Sequence, residues 1–413
     1  MLDSALQLIR VTNDKVLIVD DLSLSTATIF SAIFSELRAR FLSSNEFGLD
    51  SYLSLRIRHG TLSGHLRNYF QRERLLSVRA GEAYSSNVHW LTQLSSIKDS
   101  KQRSLDAAFA ELSSHVDSIV EDVRSNWIQI KSATRPDGLF DFDFTETDLT
   151  RLQAAARAAA SYDEFVRILM NELWRRCESV LIDAQRKIET ELQRNLLGVL
   201  EAFEQKVYEI EPQLRPSPLS ESIARCRDGM AKTTKEVSAW LNLSEEASAP
   251  DFELGLLLDT AEVVVGKCFP EYDIVVRKTS SSGLRIKGRY FAPLNDVLFI
   301  LLANAVQYRS ESTPVVLIAE RVLSSVVITV ENQLPGSSVR TTAAMIERLK
   351  KLGPLSVSTG VRNEGGSGYV KLHKLLAYDL ESGSGYNVDV SQFDGRFKVM
   401  LRVPLERLEV QSC

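Results

Sequence analysis

The sequence lacks the features that mark several classes of protein. Its four cysteines are spread over 413 residues without a C-x-x-C pair, which excludes a disulfide-stapled mini-protein and gives no zinc signal. The longest uninterrupted apolar runs, such as residues 297–303, are too short to cross a bilayer, and no basic segment followed by an apolar one opens the chain. We therefore expect a soluble, cytoplasmic protein with no membrane partner. The net charge of −5 argues against a nucleic-acid partner.

What is present is an ordinary globular composition, with 44% hydrophobic and 25% charged residues. A chain of this length is expected to form two or three domains. Changes in residue pattern predict three regions. Residues 1–98 are a mixed segment of unknown role, residues 99–245 are a helical bundle or hairpin stalk, and residues 251–405 mix strands with helices. The segments 15–19 and 284–291 are expected to be strands. The predicted fold class is α+β.

The helical region carries one long apolar stripe. Apolar residues recur at every third or fourth position from Leu173 to Ile210, which predicts a helix over residues 162–210 that is roughly 70 Å long. A proline cluster that begins at Pro212 ends it, and a second helix returns. An apolar stripe of this length must be buried against another surface, so we expect a homodimer through this region. Alternatively, helices at 103–131 and 148–160 cover it within one chain.

Two short stretches of the last region suggest chemistry. Asn304 interrupts an otherwise apolar helix, either as a satisfied core amide or as an oxygen ligand for Mg²⁺. Gly365, Gly366 and Gly368 precede a further helix. They form either a plain loop or a backbone cradle for phosphate.

The order of these features resembles the ATP-binding domain of the GHKL superfamily, which includes histidine kinases, DNA gyrase and mismatch-repair ATPases. The stretch Ile300–Tyr308 is similar to the N-box of that family, Val330–Gly336 to its adenine-reading strand end, and Gly365–Tyr369 to its phosphate-binding glycines. The resemblance implies a Bergerat-type α/β sandwich over residues 251–405, with ATP and Mg²⁺ as cofactors and a mobile lid at 337–364. It assigns Mg²⁺ to Asn304. The residues implied to bind the nucleotide are Asn304, Tyr308, Asn332, Gly336, Gly365, Gly366 and Gly368.

The sequence departs from the family pattern at four positions. Asn332 stands where an adenine-reading aspartate belongs, and Leu334 replaces the first glycine of that motif. Ile300 occupies the place of the carboxylate that polarises water in gyrase-like members, and Gln307 stands where kinases often carry lysine. We expect nucleotide binding with little hydrolysis.

A phosphoacceptor histidine is expected on a helix hairpin before the ATP domain of a histidine kinase. No histidine lies between His115 and His373, so the long helices cannot present one. The segment at residues 58–66 is faintly similar to the R-H-D-x-x-N-H-L motif of quorum-sensing kinases, with a glycine in place of the carboxylate. His59 and His65 are therefore the candidates, and a structural or partner-contact role is the alternative for both.

The function expected from these observations is a nucleotide-gated signalling switch, in which the state of the lid is passed to a helical region that binds an unidentified protein partner. An atypical histidine kinase or slow ATPase is the enzymatic alternative. A scaffold whose GHKL fold has lost its nucleotide is the third possibility.

Overall fold

The computed structural model divides the buried hydrophobic residues into two cores. It describes residues 26–45, 48–58, 61–241, 250–269, 276–280, 283–310, 313–336, 339–353 and 368–410. The first core is built from side chains between Phe30 and Leu241, and the second from side chains between Phe252 and Leu408. Residues 30–94 contribute to the same core as the long helices that follow them. The division into three domains stays a prediction.

The first core is formed by helices. They are α1 (Thr26–Ser43), α2 (Leu49–Leu53), α3 (Thr61–Arg72), α4 (Val88–Gln93), α5 (Asp99–Asp122), α6 (Glu146–Arg157), α7 (Tyr162–Lys187), α8 (Gln193–Ile210) and α9 (Pro218–Ala239). One-turn π-helices follow α2 at Ser54–Arg58, follow α5 at Val123–Trp127 and join α7 to α8 at Ile188–Leu192. A two-residue ribbon pairs β1 (Arg79–Ala80) with β2 (Ala83–Tyr84).

The expected long helix is confirmed. From Tyr162 to Ile210 the chain is helical throughout, about 73 Å at 1.5 Å per residue. A capping box at Thr145 opens α6, with the Thr145 hydroxyl accepting from the Asp148 amide at 3.2 Å. Serine caps begin α7 and α9, and Pro218 occupies the first turn of α9, where its missing N–H costs nothing.

The apolar stripe of this long helix is covered within the chain. Helix α5 packs along α8, α6 packs on α7, and α9 returns along α8. Phe109 of α5 meets Phe203 of α8 with ring centroids 5.0 Å apart. The buried stripe residues are Leu173, Cys177, Leu181, Ala184, Ile188, Leu192, Leu196, Leu200, Phe203 and Val207. The surplus surface that led us to expect a homodimer is thus used inside one copy, and the homodimer itself stays a prediction.

The second core lies between helices and a five-stranded sheet. Its elements are β3 (Phe252–Glu253), α10 (Leu254–Cys268), β4 (Val276–Ser280), β5 (Arg285–Ile286), α11 (Phe291–Tyr308), β6 (Val315–Val322), β7 (Ser325–Gln333), α12 (Val339–Lys350), α13 (Gly368–Lys374), β8 (Asn387–Phe393), β9 (Arg396–Pro404) and α14 (Leu405–Leu408). A π-turn at Leu375–Asp379 continues α13. The mixed architecture confirms the α+β class.

The sheet has the strand order β4-β6-β7-β9-β8. Strand β4 runs parallel to β6, and the other neighbours are antiparallel. Alternation decides which face is covered: Val399, Leu401 and Val403 of β9 are buried, while the residues between them are more exposed. Val330 lies opposite Val399, so the buried face of β7 continues that of β9.

Helix α11 is the central helix of this domain, packed on β7 and against α10 and α13. Within the described parts of the chain, the stretch Gly288–Tyr308 alone is long and apolar enough to cross a membrane by composition, with a mean hydropathy of 1.2. Because 61% of its most apolar window is buried in the protein, it has the character of a core helix. The cytoplasmic location stays a prediction.

One local expectation is wrong. The segment 284–291 has the residue types of a strand, but only Arg285 and Ile286 pair, with β3. The Gly288 amide donates to the Asp251 carboxylate at 3.0 Å, which turns the chain into a 3₁₀ turn at Gly288–Tyr290 and then into α11. The strand-like segment at Lys15–Val19 lies outside the described residues.

The two cores meet at helix α3. Gly64 of α3 packs directly on α10, where a Cβ atom would come within 2.6 Å of the Cys268 carbonyl oxygen. The Cys268 thiol lies 3.8 Å from the Thr61 carbonyl oxygen, and the Asn68 amide donates to the Lys267 carbonyl. The opposite side of α3 packs on α9 and α5. Helix α3 therefore joins the helical part to the sheet domain.

Candidate functional site

The end of β7 carries the most informative polar residue of the sheet domain. Asn332 lies opposite Phe397 on the helix-covered face, and only 4% of its surface is exposed. Its amide nitrogen is buried and has no hydrogen-bond partner among the described residues. Leaving such a donor unsatisfied costs about 1–3 kcal/mol, so a buried side chain of this kind calls for an explanation. An acceptor atom of a ligand at the end of β7 would satisfy it.

Asn304 and Tyr308 lie at the same end of the domain as Asn332. The Ser310 amide, just after α11, donates to the Gln333 carbonyl oxygen at 2.7 Å and ties the end of the helix to the end of β7. Asn304 is half-buried, and Tyr308, one helical turn later on the same face, is 62% exposed. The predicted Mg²⁺ ligand and the predicted base-reading amide thus belong to one region of the molecule.

Gly336 follows three residues after β7 and is exposed. Among the described residues, no atom lies within 4 Å of a Cβ placed at this position. The packing of these residues therefore does not require glycine here, whereas a close approach by a ligand would.

Gly368 is the first residue of α13 and is buried. Gly365 and Gly366, the other members of the predicted phosphate cradle, lie outside the described residues. So do residues 337–338 and 354–364 of the expected lid, whereas residues 339–353, which include α12, are described. Tyr369 follows Gly368, and burial raises the pKa of its phenol above the ordinary range. Helix α13 packs on α11, which brings Gly368 into the same layer as Asn304.

The later residues of α13 anchor the helix. The Tyr386 hydroxyl lies 2.8 Å from Nδ1 of His373, and the Lys374 ammonium pairs with the Asp379 carboxylate at 2.9 Å. Burial lowers the pKa of His373 to about 4, so its imidazole is neutral at pH 7. Burial also raises the pKa of Tyr386 to about 12, and the hydroxyl can therefore donate to the neutral imidazole.

His65 lies on α3, away from the Asn332 region, and has a carboxylate partner. Its Nε2 is 2.7 Å from the Glu236 carboxylate of α9, and its ring packs edge-on against Trp240 at 4.9 Å. Its Nδ1 is buried and has no hydrogen-bond partner in the part of the chain that the structure describes. Burial lowers the pKa of His65, Glu236 opposes this, and the nearby charge of Lys267 adds to the lowering. His59 lies outside the described residues.

Glu236 is a residue that sequence reasoning missed. It lies 171 positions from His65, and only the packing of α3 on α9 brings the two together. A carboxylate held on one imidazole nitrogen fixes the tautomer and makes the other nitrogen more basic. The sequence has glycine in place of the motif carboxylate beside His59. In the folded protein it is His65 that receives a carboxylate partner, from Glu236. Ile300, by contrast, is buried and apolar, and cannot act as a base.

A protein-family model described as Y4jQ matches residues 3–241. The chain is 23% identical over 385 residues to the uncharacterized protein y4jQ of Sinorhizobium fredii, covering 91% of this chain and 36% of that protein. It is 24% identical over 276 residues to the Detocs histidine-protein kinase DtcA of Vibrio alginolyticus, covering 65% of this chain and 26% of that protein. The chain therefore spans only about a third or a quarter of the length of these relatives.

Solved histidine kinases resemble the chain distantly. The Acinetobacter baumannii histidine kinase AdeS aligns with a TM-score of 0.28 at 14% identity, covering 51% of this chain and 95% of that one. Full-length ShkA in complex with AMPPNP aligns with a TM-score of 0.32 at 16% identity, covering 57% of this chain and 47% of that one.

Proposed function

The chain belongs to the Y4jQ family, and because that match ends at residue 241 we infer the role of the sheet domain from its own site. We propose that the protein is a signalling switch related to histidine kinases, whose sheet domain is a Bergerat-type fold that binds ATP with Mg²⁺. The observation that carries this proposal is the buried amide nitrogen of Asn332 at the end of β7, which has no hydrogen-bond partner among the described residues.

Asn332 fits an adenine base. A primary amide offers one donor and one acceptor side by side, which complements the edge of adenine, where an acceptor nitrogen neighbours the exocyclic amino group. The unsatisfied amide nitrogen would donate to the ring nitrogen, and the amide oxygen would accept from the amino group. Guanine presents a carbonyl oxygen in place of the amino group, so the site should prefer ATP to GTP.

The phosphates and the metal would lie between α11 and α13. The side-chain oxygen of Asn304 is a hard ligand suited to Mg²⁺, which usually bridges one or two protein oxygens and the phosphates. Gly368 at the start of α13, with Gly365 and Gly366 before it, would let the backbone approach the phosphates closely. Gly336 would leave room for the base, Tyr308 would flank the site, and α12 would belong to the lid.

Helix α3 is the path by which the nucleotide state would reach the helical part, since it packs on α10 of one core and on α9 of the other. The similarity to DtcA, described as a histidine-protein kinase, supports a signalling role. We propose that the helical part binds a protein partner and also a second copy of the chain. Helix α3 would pass the nucleotide state of the sheet domain on to these contacts.

Phosphotransfer to His65 is the second candidate, and the Glu236 contact favours it. The carboxylate occupies Nε2 and leaves Nδ1 as the nitrogen that would have to attack, and because Nδ1 is buried in this structure, transfer would first require the contacts around α3 to open. Ile300 in place of a general base argues against fast hydrolysis, whereas transfer to a histidine needs no water. We expect binding with hydrolysis near background and no stable phosphohistidine at His59 or His65, so that the switch stays the preferred function.

Titration of the full chain with ATP and GTP in the presence of Mg²⁺ tests the proposal. Binding of ATP but not GTP is expected, with loss in Asn304→Ala and in Gly368→Val, whose side chain would crowd the phosphates. Gly198→Val is the matched control, because no atom lies within 4 Å of a Cβ at that exposed helical position. No binding of millimolar ATP by the unaltered chain would leave the scaffold as the function.

Incubation with ATP labelled at the γ-phosphate separates the switch from the kinase. An acid-labile, base-stable phosphate that is retained in His59→Gln and lost in His65→Gln would make the protein a histidine kinase. Steady release of phosphate that is lost in Gly368→Val would make it an ATPase.

A further inference from the structure

Lys371 of α13 is completely buried, although lysine is among the residues least often found inside proteins. Its ammonium group donates to the Ser54 carbonyl oxygen at 3.3 Å, across 317 positions of sequence. Ser54 belongs to the helical part and Lys371 to the sheet domain, so this contact joins the two cores at a second place besides the junction of α3 with α10. Burying a cation costs several kcal/mol, so the ammonium group depends on its polar partners, of which the Ser54 carbonyl oxygen is one.

The acceptor of this contact belongs to a π-turn. Ser54 is the first residue of the π-turn Ser54–Arg58, which follows α2 without a break. A π-turn holds one more residue than an α-turn, and single π-turns within helices are frequent at functional sites. Lys371 donates to its first carbonyl and thereby holds the turn from the side of the sheet domain.

The other end of the π-turn is held by the helical part. The Arg58 guanidinium, 2% exposed, donates to the Asp50 carboxylate at 2.7 Å and to the Asp50 carbonyl oxygen at 2.8 Å. It also donates to the Gln129 side chain, just after the π-turn that ends α5. The turn is therefore in contact with charged groups from both cores, and a movement of α13 relative to the helical part would change the Lys371 contact or shift the turn.

We propose that Lys371 is a latch that couples nucleotide binding to the helical part. The inference rests on the proposed function, since it takes the start of α13 as the phosphate site. Lys371 lies three residues from Gly368, less than one helical turn, and a triphosphate at Gly368 would attract its charge strongly in a site shielded from water. ATP draws the ammonium away from Ser54, and the π-turn, having lost this contact with the sheet domain, shifts the segment that ends at Arg58.

Hydrogen–deuterium exchange of the full chain tests the latch. In the unaltered protein, MgATP should raise exchange in peptides that cover residues 48–58. In Lys371→Met, which keeps the length of the side chain without its donors, exchange there should be about tenfold or more faster before any nucleotide is added and should not respond to MgATP. Loss of a hydrogen bond from a charged donor sets this magnitude.

Lys374→Met is the matched control. Lys374 is also buried and lies on the same helix, but it pairs with Asp379 of its own segment. This variant should leave exchange at 48–58, and its response to MgATP, as in the unaltered protein. Lys371→Leu, which also lacks a donor, takes the place of the methionine variant if the latter does not fold by circular dichroism.

The experiment distinguishes a failure of the latch from a failure of the proposed function. If the Lys371 variants leave exchange at 48–58 and its MgATP response unchanged, the latch is refuted while nucleotide binding stands. If the unaltered chain binds no ATP but Lys371→Met still loosens residues 48–58, the contact exists and the proposed function fails. If the Lys374 and Lys371 variants behave alike, the effect is general loosening of α13 and the latch is refuted.

Discussion

Replacing a buried asparagine with leucine changes the free energy of unfolding in opposite directions, depending on whether the amide supports the fold or is kept for a ligand. Asn332→Leu removes an unpartnered donor from an apolar face, so the free energy of unfolding of the protein without nucleotide should stay the same or rise by up to about 1–2 kcal/mol. ATP binding should be lost in the same variant. Urea denaturation and calorimetric titration of one preparation measure both quantities.

Asn87 supplies the control. It is equally buried, but it caps α4 by accepting from the Trp90 amide at 3.2 Å and donates to the Arg74 carbonyl at 2.9 Å. Asn87→Leu should destabilise the protein by about 2–3 kcal/mol, because a cap is lost and a buried carbonyl is left without its donor. An Asn332→Leu variant destabilised as much as Asn87→Leu would make Asn332 a structural amide.

His373 predicts a loss of stability in mild acid. Burial lowers its pKa to about 4 in the folded protein, whereas the unfolded chain has the ordinary value near 6.5. The unfolded state therefore binds a proton first, so this contribution to stability is complete above pH 6.5. It falls by up to about 3 kcal/mol as the pH approaches 4. Urea denaturation at pH 7 and pH 5 should show a smaller difference in His373→Gln than in the unaltered chain. An equal difference in both would contradict the assignment.

Two glycines in the middle of helices have opposite reasons for being there. Gly64 of α3 touches the Cys268 backbone, whereas Gly198 of α8 faces open space. Gly64→Ala should destabilise the junction of α3 with α10 by about 1–3 kcal/mol, because backbone cannot move aside as a side chain can. Gly198→Ala should stabilise the protein by about 0.5–1 kcal/mol through helix propensity alone.

Thermal denaturation followed by circular dichroism compares the two variants. If Gly64→Ala is as stable as Gly198→Ala, the close approach of α3 to α10 is absent in solution. A split transition in Gly64→Ala, with one part unchanged, would indicate that the two cores unfold separately once the junction is weakened.

The helices were predictable because their signals are local. The period of the apolar stripe fixed the long helix, and the Thr145 capping box and the proline cluster after Ile210 fixed where elements begin and end. The segment 284–291 was misread because its residue types suit a strand, while the bond from Gly288 to Asp251 that turns the chain depends on a residue 37 positions away. The candidate nucleotide residues were found by motif order. Lys371 and Glu236 were not, since their partners are 317 and 171 positions distant.

At the scale of the whole molecule, the predicted homodimer needs a surface other than the apolar stripe. The outer face of α7 exposes Trp174 and Ile182, at 45% and 55%, two helical turns apart. We expect any dimer formed by the helical part to use this face, and Ile182→Glu to dissociate it while leaving the fold intact, because the side chain lies on the surface. Light scattering at micromolar concentration decides, and a monomer in the unaltered protein would contradict the prediction.

The close contact of Gly64 with α10 also places a native cysteine where its reactivity can report on the separation of the two cores. The Cys268 thiol, 2% exposed, is reduced and lies within the junction of the two cores. A thiol reagent can reach it only during moments when the cores part, so its labelling rate measures how often they do so. Cys177 and Cys226 lie deep in the helical core and should react later, when that core opens. In a chain with Cys413→Ser, the rate of thiol labelling by a colorimetric reagent would therefore measure how often the two cores separate. No labelling site would have to be added.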